Sequence, residues 1–439
     1  MNRRLDGAGI PYISRGEKMA ALPEKTTLSN GIRILSKKIP DARSVSMGIW
    51  VNVGARDEQV TDSGICHFIE HMLFKGTQKR SAFEIAKQFD AIGGQTNAFT
   101  SMETTCYHAK VIHSHMVIMS DILTDIFLNS LFDPSEIEKE RPVIFQEICM
   151  VEDNADEWIH TLASRSFWGN NPLGRSILGS RENVTRFDRR TIQSFFSDYY
   201  QPDRIVISAA GRIDHQQLLD LIEPAFGVIP RGTGFPGRIS PEASTRVDIH
   251  YKKLEQVHVC INTRGIPLSD DNRYALSLIN TILGGNMSSR LFQKIREERG
   301  LAYSVFSYAS SYEDAGMFGA YAGTDPHQVV EVIDLILAEM RDIKNREVLE
   351  TELQNAKEFT KGSMLLASES IDNQMVRLAQ NEINLGRQIP MEEVIKNIDA
   401  VTRDHVMDLA RNLFDSRHLS LTTLGPVKKK EISKDMVYL

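Results

Sequence analysis

Apolar and polar positions along the 439-residue chain fall into a pattern that occurs twice. Ser46–Gly54 (SMGIWVNVG) and His258–Ile266 (HVCINTRGI) each read as a strand leading into a helix. Helical spacing follows in His67–Phe74 and again in Ala275–Leu283. Strand-like Gly94–Val111 has its counterpart in Leu301–Ala322, and the helix Met116–Phe127 in Val329–Met340. The offset stays near roughly 210 residues, which predicts duplication of one unit. Residues 230–241 (PRGTGFPGRISP), with three Pro and three Gly, have the composition of a linker. The expected division is a tail over 1–23, an N-terminal domain over 24–229, the linker 230–241, and a homologous C-terminal domain over 242–439. Sheets with helices packed on one face, repeated twice, give an α+β class of two α/β-sandwich domains.

Local signals refine the elements. Ser81 and Glu84 form a capping box for a helix that stops at Gly93-Gly94. Asp62 or Ser63 is expected to cap the helix running to Phe74, with Gly76 just beyond its end. Residues 133–153 and 155–167 read as helices. The stretch 346–385 reads as a long helical segment interrupted at Gly362.

Composition narrows the classes. A formal charge of -7 argues against a nucleic-acid footprint, which needs a basic stripe. The most apolar long segment, Met116 to Phe132, is broken by Asp121 and Asp125, so no membrane span is expected. Arg3 and Arg4 lack an apolar run behind them, which argues against secretion. A bacterial cytoplasm is the expected setting, with the mitochondrial matrix second. Cys66, Cys106, Cys149 and Cys260 show no paired spacing and read as small buried hydrophobes in a reducing compartment.

The chemistry concentrates in His67-Phe68-Ile69-Glu70-His71, an H-x-x-E-H segment. On a helix, His67 and His71 are one turn apart and share a face, so two imidazoles can converge on one Zn²⁺. Glu70 lies on the same face, placed to reach a metal-activated water without ligating. The flanking Phe68, Ile69, Met72 and Leu73 bury this helix, so its polar side chains need partners. A core His–Glu hydrogen-bond pair is the plainer reading of the same pentapeptide. A third ligand is sought on the helix containing ERPVIFQEICM, where Glu140 and Glu147 stand two turns apart on one face. A solvated acid remains the alternative for Glu140.

Longer motifs carry a family resemblance. HFIEHMLFKGT, GGQTNAFTSMET (93–104), ERPVIFQEI (140–148), PLGRSILG (172–179), LGGNMSSRLFQKIREERGLAYSV (283–305) and MFGAYAGT (317–324) occur in order. In them the chain resembles the insulinase/pitrilysin family of zinc peptidases. The match is closest to short members related to the mitochondrial processing peptidase β-subunit and its bacterial counterparts. The resemblance implies one Zn²⁺ per chain, Glu147 as its third ligand, and Glu140 supporting the site. It implies that Arg296 and Tyr303, seven residues apart, hold substrate and steady the oxyanion. It also implies that Gln95–Thr100 is an edge strand pairing with the substrate backbone, with Asn97 and Ala98 as contacts. An ordinary strand after a Gly-Gly turn fits the same residues.

Processing members carry two acids that recognise an arginine near the cleavage point. Glu157 matches the first, but Thr161 stands at the second, which weakens a strict arginine requirement. Residues 136–157 still hold eight acids against two bases, favouring cationic peptides. The implied activity is a zinc metalloendopeptidase acting on extended peptides or unfolded segments, with a zinc-activated water and Glu70 as general base. The implied assembly is a homodimer enclosing a chamber. The alternative is a non-catalytic relative serving as a structural or peptide-binding subunit, a class that typically loses motif residues retained here.

Overall fold

The computed structural model describes residues 22–428 except 233 and 236, together with 432 and 437–439. Almost all of the expected tail lies outside the described residues. Among the described residues, eleven strands build two sheets. β1 (Glu24–Thr27), β2 (Arg33–Lys38), β3 (Ser44–Val51), β4 (Gln95–Thr100), β5 (Thr105–Ile112) and β6 (Ile205–Gly211) form the first, ordered β1-β2-β6-β3-β5-β4. β7 (Val247–Tyr251), β8 (Val257–Arg264), β9 (Ala302–Ser311), β10 (Gly316–Thr324) and β11 (Ser420–Gly425) form the second, ordered β7-β11-β8-β10-β9. Without β1, the two orders superimpose strand for strand. Even the single parallel pair recurs, β2 with β6 and β7 with β11, among antiparallel neighbours. The repeated hydrophobic pattern is thus a repeated topology.

Helices α1 (Ile65–Met72), α2 (Ala82–Ala91), α3 (Met116–Asn129) and α4 (Pro134–Asp153) lie within the first half. α1 to α4 share one apolar core with the first sheet, through Met47, Ile49, Phe68, Ile69, Ile122 and Ile144 among others. The second sheet has its own core of similar size, built with the helices Arg273–Leu283 and Val329–Asn345. The opposite faces are covered by exchange. α5 (Ala155–Trp168) leaves the first half and packs Ile159, Leu162 and Ala163 against Cys260, Tyr321 and Leu424 of the second sheet. In return the helix Ile371–Leu385 lays Met375, Leu378 and Ala379 on Trp50, Leu35 and Val206 of the first. Gly48 permits that approach, since a Cβ there would stand 2.8 Å from the Met375 sulfur. Most helices therefore lie on one face of each sheet, as expected, with one borrowed helix on the other.

Two local expectations are corrected. Residue 362 does not interrupt its helix: Glu350–Ser368 runs through Gly362, and the break falls at Glu369-Ser370, where Ser370 caps the next helix. Neither Asp62 nor Ser63 caps α1. Its N-cap is Gly64 in the left-handed region (φ 99), and the free amides are taken by the Glu58 carboxylate, from Gly64 N at 2.8 Å and Cys66 N at 2.9 Å. The Ser81–Glu84 capping box and the stop at Gly93-Gly94 are present as expected. No helix of the described residues is long and apolar enough to cross a membrane.

The linker 230–241 is fastened through Arg238, through the Ile239 carbonyl, which accepts from Arg56 at 3.0 Å, and through Phe235 packed against Tyr199. Arg238 reaches Asp57 at 2.8 Å and Glu313 at 2.8 Å, while Arg56 pairs with Glu103 at 2.6 Å and Asp314 at 2.7 Å. This largely buried charge cluster joins the segment after β3, the β4–β5 turn, the linker and the β9–β10 turn.

Candidate metal centre and its surroundings

α1 presents His67, Glu70 and His71 from one face because positions i, i+3 and i+4 stack on a helix. Its other face sends Phe68, Ile69 and Met72 into the core, which fixes the helix's rotation. α4 crosses nearby and supplies the acids. Its N-terminus is set by Asp133, whose side chain accepts from Ser135 N at 2.8 Å, with Pro134 in the first turn. Glu147 Oε2 stands 3.3 Å from His67 Nε2 and 3.6 Å from His71 Nε2. One ligand atom from each of the three lies within 4.8 Å of the others, and this is the one such metal-binding group among the described residues. None of the four free cysteines joins it; Cys66, Cys106 and Cys260 are buried.

The donor set fits a divalent cation. His71 Nδ1 is 2.7 Å from Glu140 Oε1, and Lys75 Nζ holds the other Glu140 oxygen at 2.5 Å. With Nδ1 donating to Glu140, a neutral His71 turns a lone pair from Nε2 toward the Glu147 carboxylate. Burial, followed by the neighbouring His71, pushes the His67 pKa down to about 3, which keeps that imidazole neutral. Two imidazole nitrogens and a carboxylate oxygen thus face one another as a three-donor set of the kind that holds a divalent cation. Burial also opposes a charge on His71, but the Glu140 hydrogen bond and the charges of Glu147, Glu140 and Glu70 outweigh it and raise its pKa. For Glu140 the burial effect is likewise outweighed, by His71 and Lys75, and its pKa is lowered. Glu70 is raised, chiefly by burial, against a hydrogen bond from Thr100.

An open cleft beside this cluster is lined by Glu70, His71, Phe74, Lys75, Thr96, Asn97, Ala98 and Glu140. Asn97 and Ala98 sit on β4, an edge strand that pairs with β5 alone among the described residues. The Ala98 amide donates to its neighbour's Asn97 Oδ1 at 2.9 Å rather than to β5. By the alternation of an antiparallel ladder, Thr96, Ala98 and Thr100 then turn their backbone groups to the open edge.

The other expected site residues belong to other elements. Arg296, in a π-helical turn Phe292–Glu297, is stacked 4.6 Å from the Tyr303 ring and 4.7 Å from the Phe292 ring. Tyr303, in β9, is 77% exposed. The two meet each other, as a shared role requires, but neither lines the cleft by the metal cluster. Glu157 is exposed in the first turn of α5 and does not line it either. Three residues escape sequence reading. Lys75, one turn after His71, had a visible helical spacing. Thr100 and Glu58 reach α1 from separate segments, and no local spacing marks them.

Comparison with known proteins identifies the family. Residues 33–181 match the family model for the insulinase family (peptidase family M16), and residues 186–359 match the model for the peptidase M16 inactive domain. The chain belongs to the insulinase family of peptidases. An uncharacterised zinc protease, YmxG of Bacillus subtilis (strain 168), is 43% identical over 92% of this chain and 98% of its own. One from Streptomyces coelicolor is 37% identical over 96% and 94%. Among solved structures, a protease from Helicobacter pylori matches with a TM-score of 0.85 at 20% identity, over 92% of this chain and 99% of that one. A peptidase M16 inactive domain from Pseudomonas fluorescens gives a TM-score of 0.86 at 16% identity, over 92% and 98%. These two establish the shared fold. In this insulinase-family chain the helix Arg273–Leu283 (RYALSLINTIL), counterpart of α1, carries no histidine or acid, so the metal cluster belongs to the first half alone.

Proposed function

We propose that this chain is a zinc metalloendopeptidase that hydrolyses extended peptides or unfolded segments. The observation that carries the reading is the convergence of His67, His71 and Glu147 beside Glu70, at the open edge of β4. His67, His71 and Glu147 hold the metal. Zinc, when bound, supplies a Lewis acid that makes water more acidic and polarises a carbonyl. Glu140 fixes the His71 ring through Nδ1, and Lys75 balances the Glu140 charge.

An extended peptide pairs along β4, displacing the Asn97 side chain from the Ala98 amide, which explains tolerance of sequence. Glu70 removes a proton from the attacking water as its oxygen bonds to the scissile carbonyl carbon. The same carboxyl then gives that proton to the leaving nitrogen as the C–N bond breaks. Tyr303 and Arg296 would steady the oxyanion, an effect worth about 3 kcal/mol per donor in comparable sites. The assembly proposed with this reading is a homodimer enclosing a chamber, in which the partner's C-terminal half completes each site. The acids of 136–157, Glu157 among them, favour basic peptides. The bacterial relatives support a bacterial setting.

Hydrolysis of a quenched basic peptide, with chelator and zinc add-back, tests the reading beside Glu70→Gln. Chelator-sensitive, zinc-restored cleavage is expected, and the variant should keep its zinc while losing turnover. A non-catalytic relative would bind the peptide and release no product. Loss of zinc in Glu70→Gln would mean that the roles on α1 are misassigned.

A further inference from the structure

We infer that Thr100 is a positioning residue for Glu70, joining the general base to the strand along which substrate lies. The inference rests on the peptidase reading above and extends it to a residue with no assigned role. Thr100 Oγ1 donates to Glu70 Oε2 at 2.5 Å, the one hydrogen bond that the Glu70 carboxylate receives among the described residues. A carboxylate on a single χ-flexible arm has two oxygens that exchange by rotation. Fixing Oε2 leaves Oε1 as the oxygen free to take a proton, and fixes the plane in which it does so.

The donor is itself tightly held. Thr100 ends β4 opposite Thr105, and the turn that follows is closed by Ser101 N to Thr104 O at 2.8 Å and by the Ser101 hydroxyl on the same carbonyl at 2.9 Å. Ala55 N and Arg56 N bond back to Ser101 O and Met102 O at 3.1 and 2.7 Å, so the turn is pinned from the other side. A β-branched side chain has few rotamers, and its methyl group restricts the hydroxyl's direction further. Thr96, Ala98 and Thr100 share one face of β4 by the strand's period of two, and Thr96 and Ala98 line the cleft with Glu70. Thr100 thus presents its backbone to the peptide-pairing edge and its hydroxyl to the base. Register along the strand and orientation of the proton acceptor are set by one residue.

The test compares wild type, Thr100→Val and Thr100→Ser for kcat, KM and bound zinc. Valine keeps the shape and removes the donor; serine keeps the donor. Loss of a charge-assisted hydrogen bond that orients the base is expected to lower kcat by roughly tenfold to a hundredfold. KM should stay within about twofold and zinc content should be unchanged, because neither docking edge nor ligands are altered. Thr100→Ser should regain most of the rate. Added to Glu70→Gln, Thr100→Val should lower the residual rate no further. Wild-type kcat in Thr100→Val, a rise in KM alone, or a serine variant as slow as valine each overturns the inference while the peptidase reading stands. A wild-type protein that holds zinc yet cleaves nothing overturns the peptidase reading itself, and the inference with it.

Discussion

Among the three proposed metal ligands, His71 is the one whose ring is held by a neighbour among the described residues. Its Nδ1 lies 2.7 Å from Glu140, which in turn meets Lys75 at 2.5 Å. Such partners fix the tautomer and ring plane of a metal-binding histidine, and losing one typically costs 10–100-fold (roughly) in metal affinity. Glu140→Ala is expected to fall in that range when zinc is titrated against a competing chelator, and to leave Lys75 without its counter-charge. Glu140→Gln keeps an acceptor for His71 and should lose less. Equal zinc affinity in all three proteins would return Glu140 to the role of a buried structural acid. Here the sequence was readable in part. The H-x-x-E-H spacing dictates a shared helical face by geometry alone, and Glu140 and Glu147 were visible as a two-turn pair. Which of the two ligates came from resemblance, because spacing on α4 cannot say how α4 crosses α1.

At the scale of the element, α1 shows why caps are hard to read from sequence. Asp62 and Ser63 have the right chemistry at the right place. The chain instead turns through left-handed Gly64, and Glu58 folds back over the helix start. That carboxyl is fully enclosed. Burial pushes its pKa up from an ordinary 4.5 to about 8, against the pull of the Cys66 and Gly64 amides. The folded state therefore holds a proton that the unfolded chain releases above 4.5. The stabilisation linked to this group is complete below 4.5 and is lost as pH rises toward 8. Thermal melts between pH 5 and 9 should show the wild-type midpoint declining to about pH 8, and Glu58→Gln should flatten that decline. An unchanged slope in the variant would mean that the helix start keeps Glu58 ionised throughout. The same distinction between local and distant causes explains the other elements. The Ser81–Glu84 box and the paired strands follow from neighbouring residues and were legible. Continuation of the helix through Gly362 was not, since packing of Leu353, Ala356 and Thr360 outweighs one glycine's cost of roughly 1 kcal/mol.

At the scale of the whole molecule, duplication was readable and exchange was not. A constant offset reveals two copies of one unit, but nothing in the periodicity of α5 says that its apolar face covers the other copy's sheet. The exchange ties the halves together: without Met375, Leu378 and Ala379, the outer face of the first sheet exposes Trp50 and Leu35. Halves so joined move little relative to each other, and the linker too is anchored, through Arg238 among other contacts. In the proposed homodimer a second copy would contribute Arg296 and Tyr303 to each site. If each site combines one subunit's metal cluster with its partner's Arg296 and Tyr303, two inactive variants should rescue each other. Differently tagged Glu70→Gln and Tyr303→Phe chains, co-expressed and purified through both tags, form dimers with one intact site and one doubly damaged site. The doubly tagged dimer should recover roughly half of wild-type turnover, while each variant alone stays near its own low rate. Light scattering must find a dimer in the same sample. Activity no higher than the mean of the two variants would mean that every site is built within one chain.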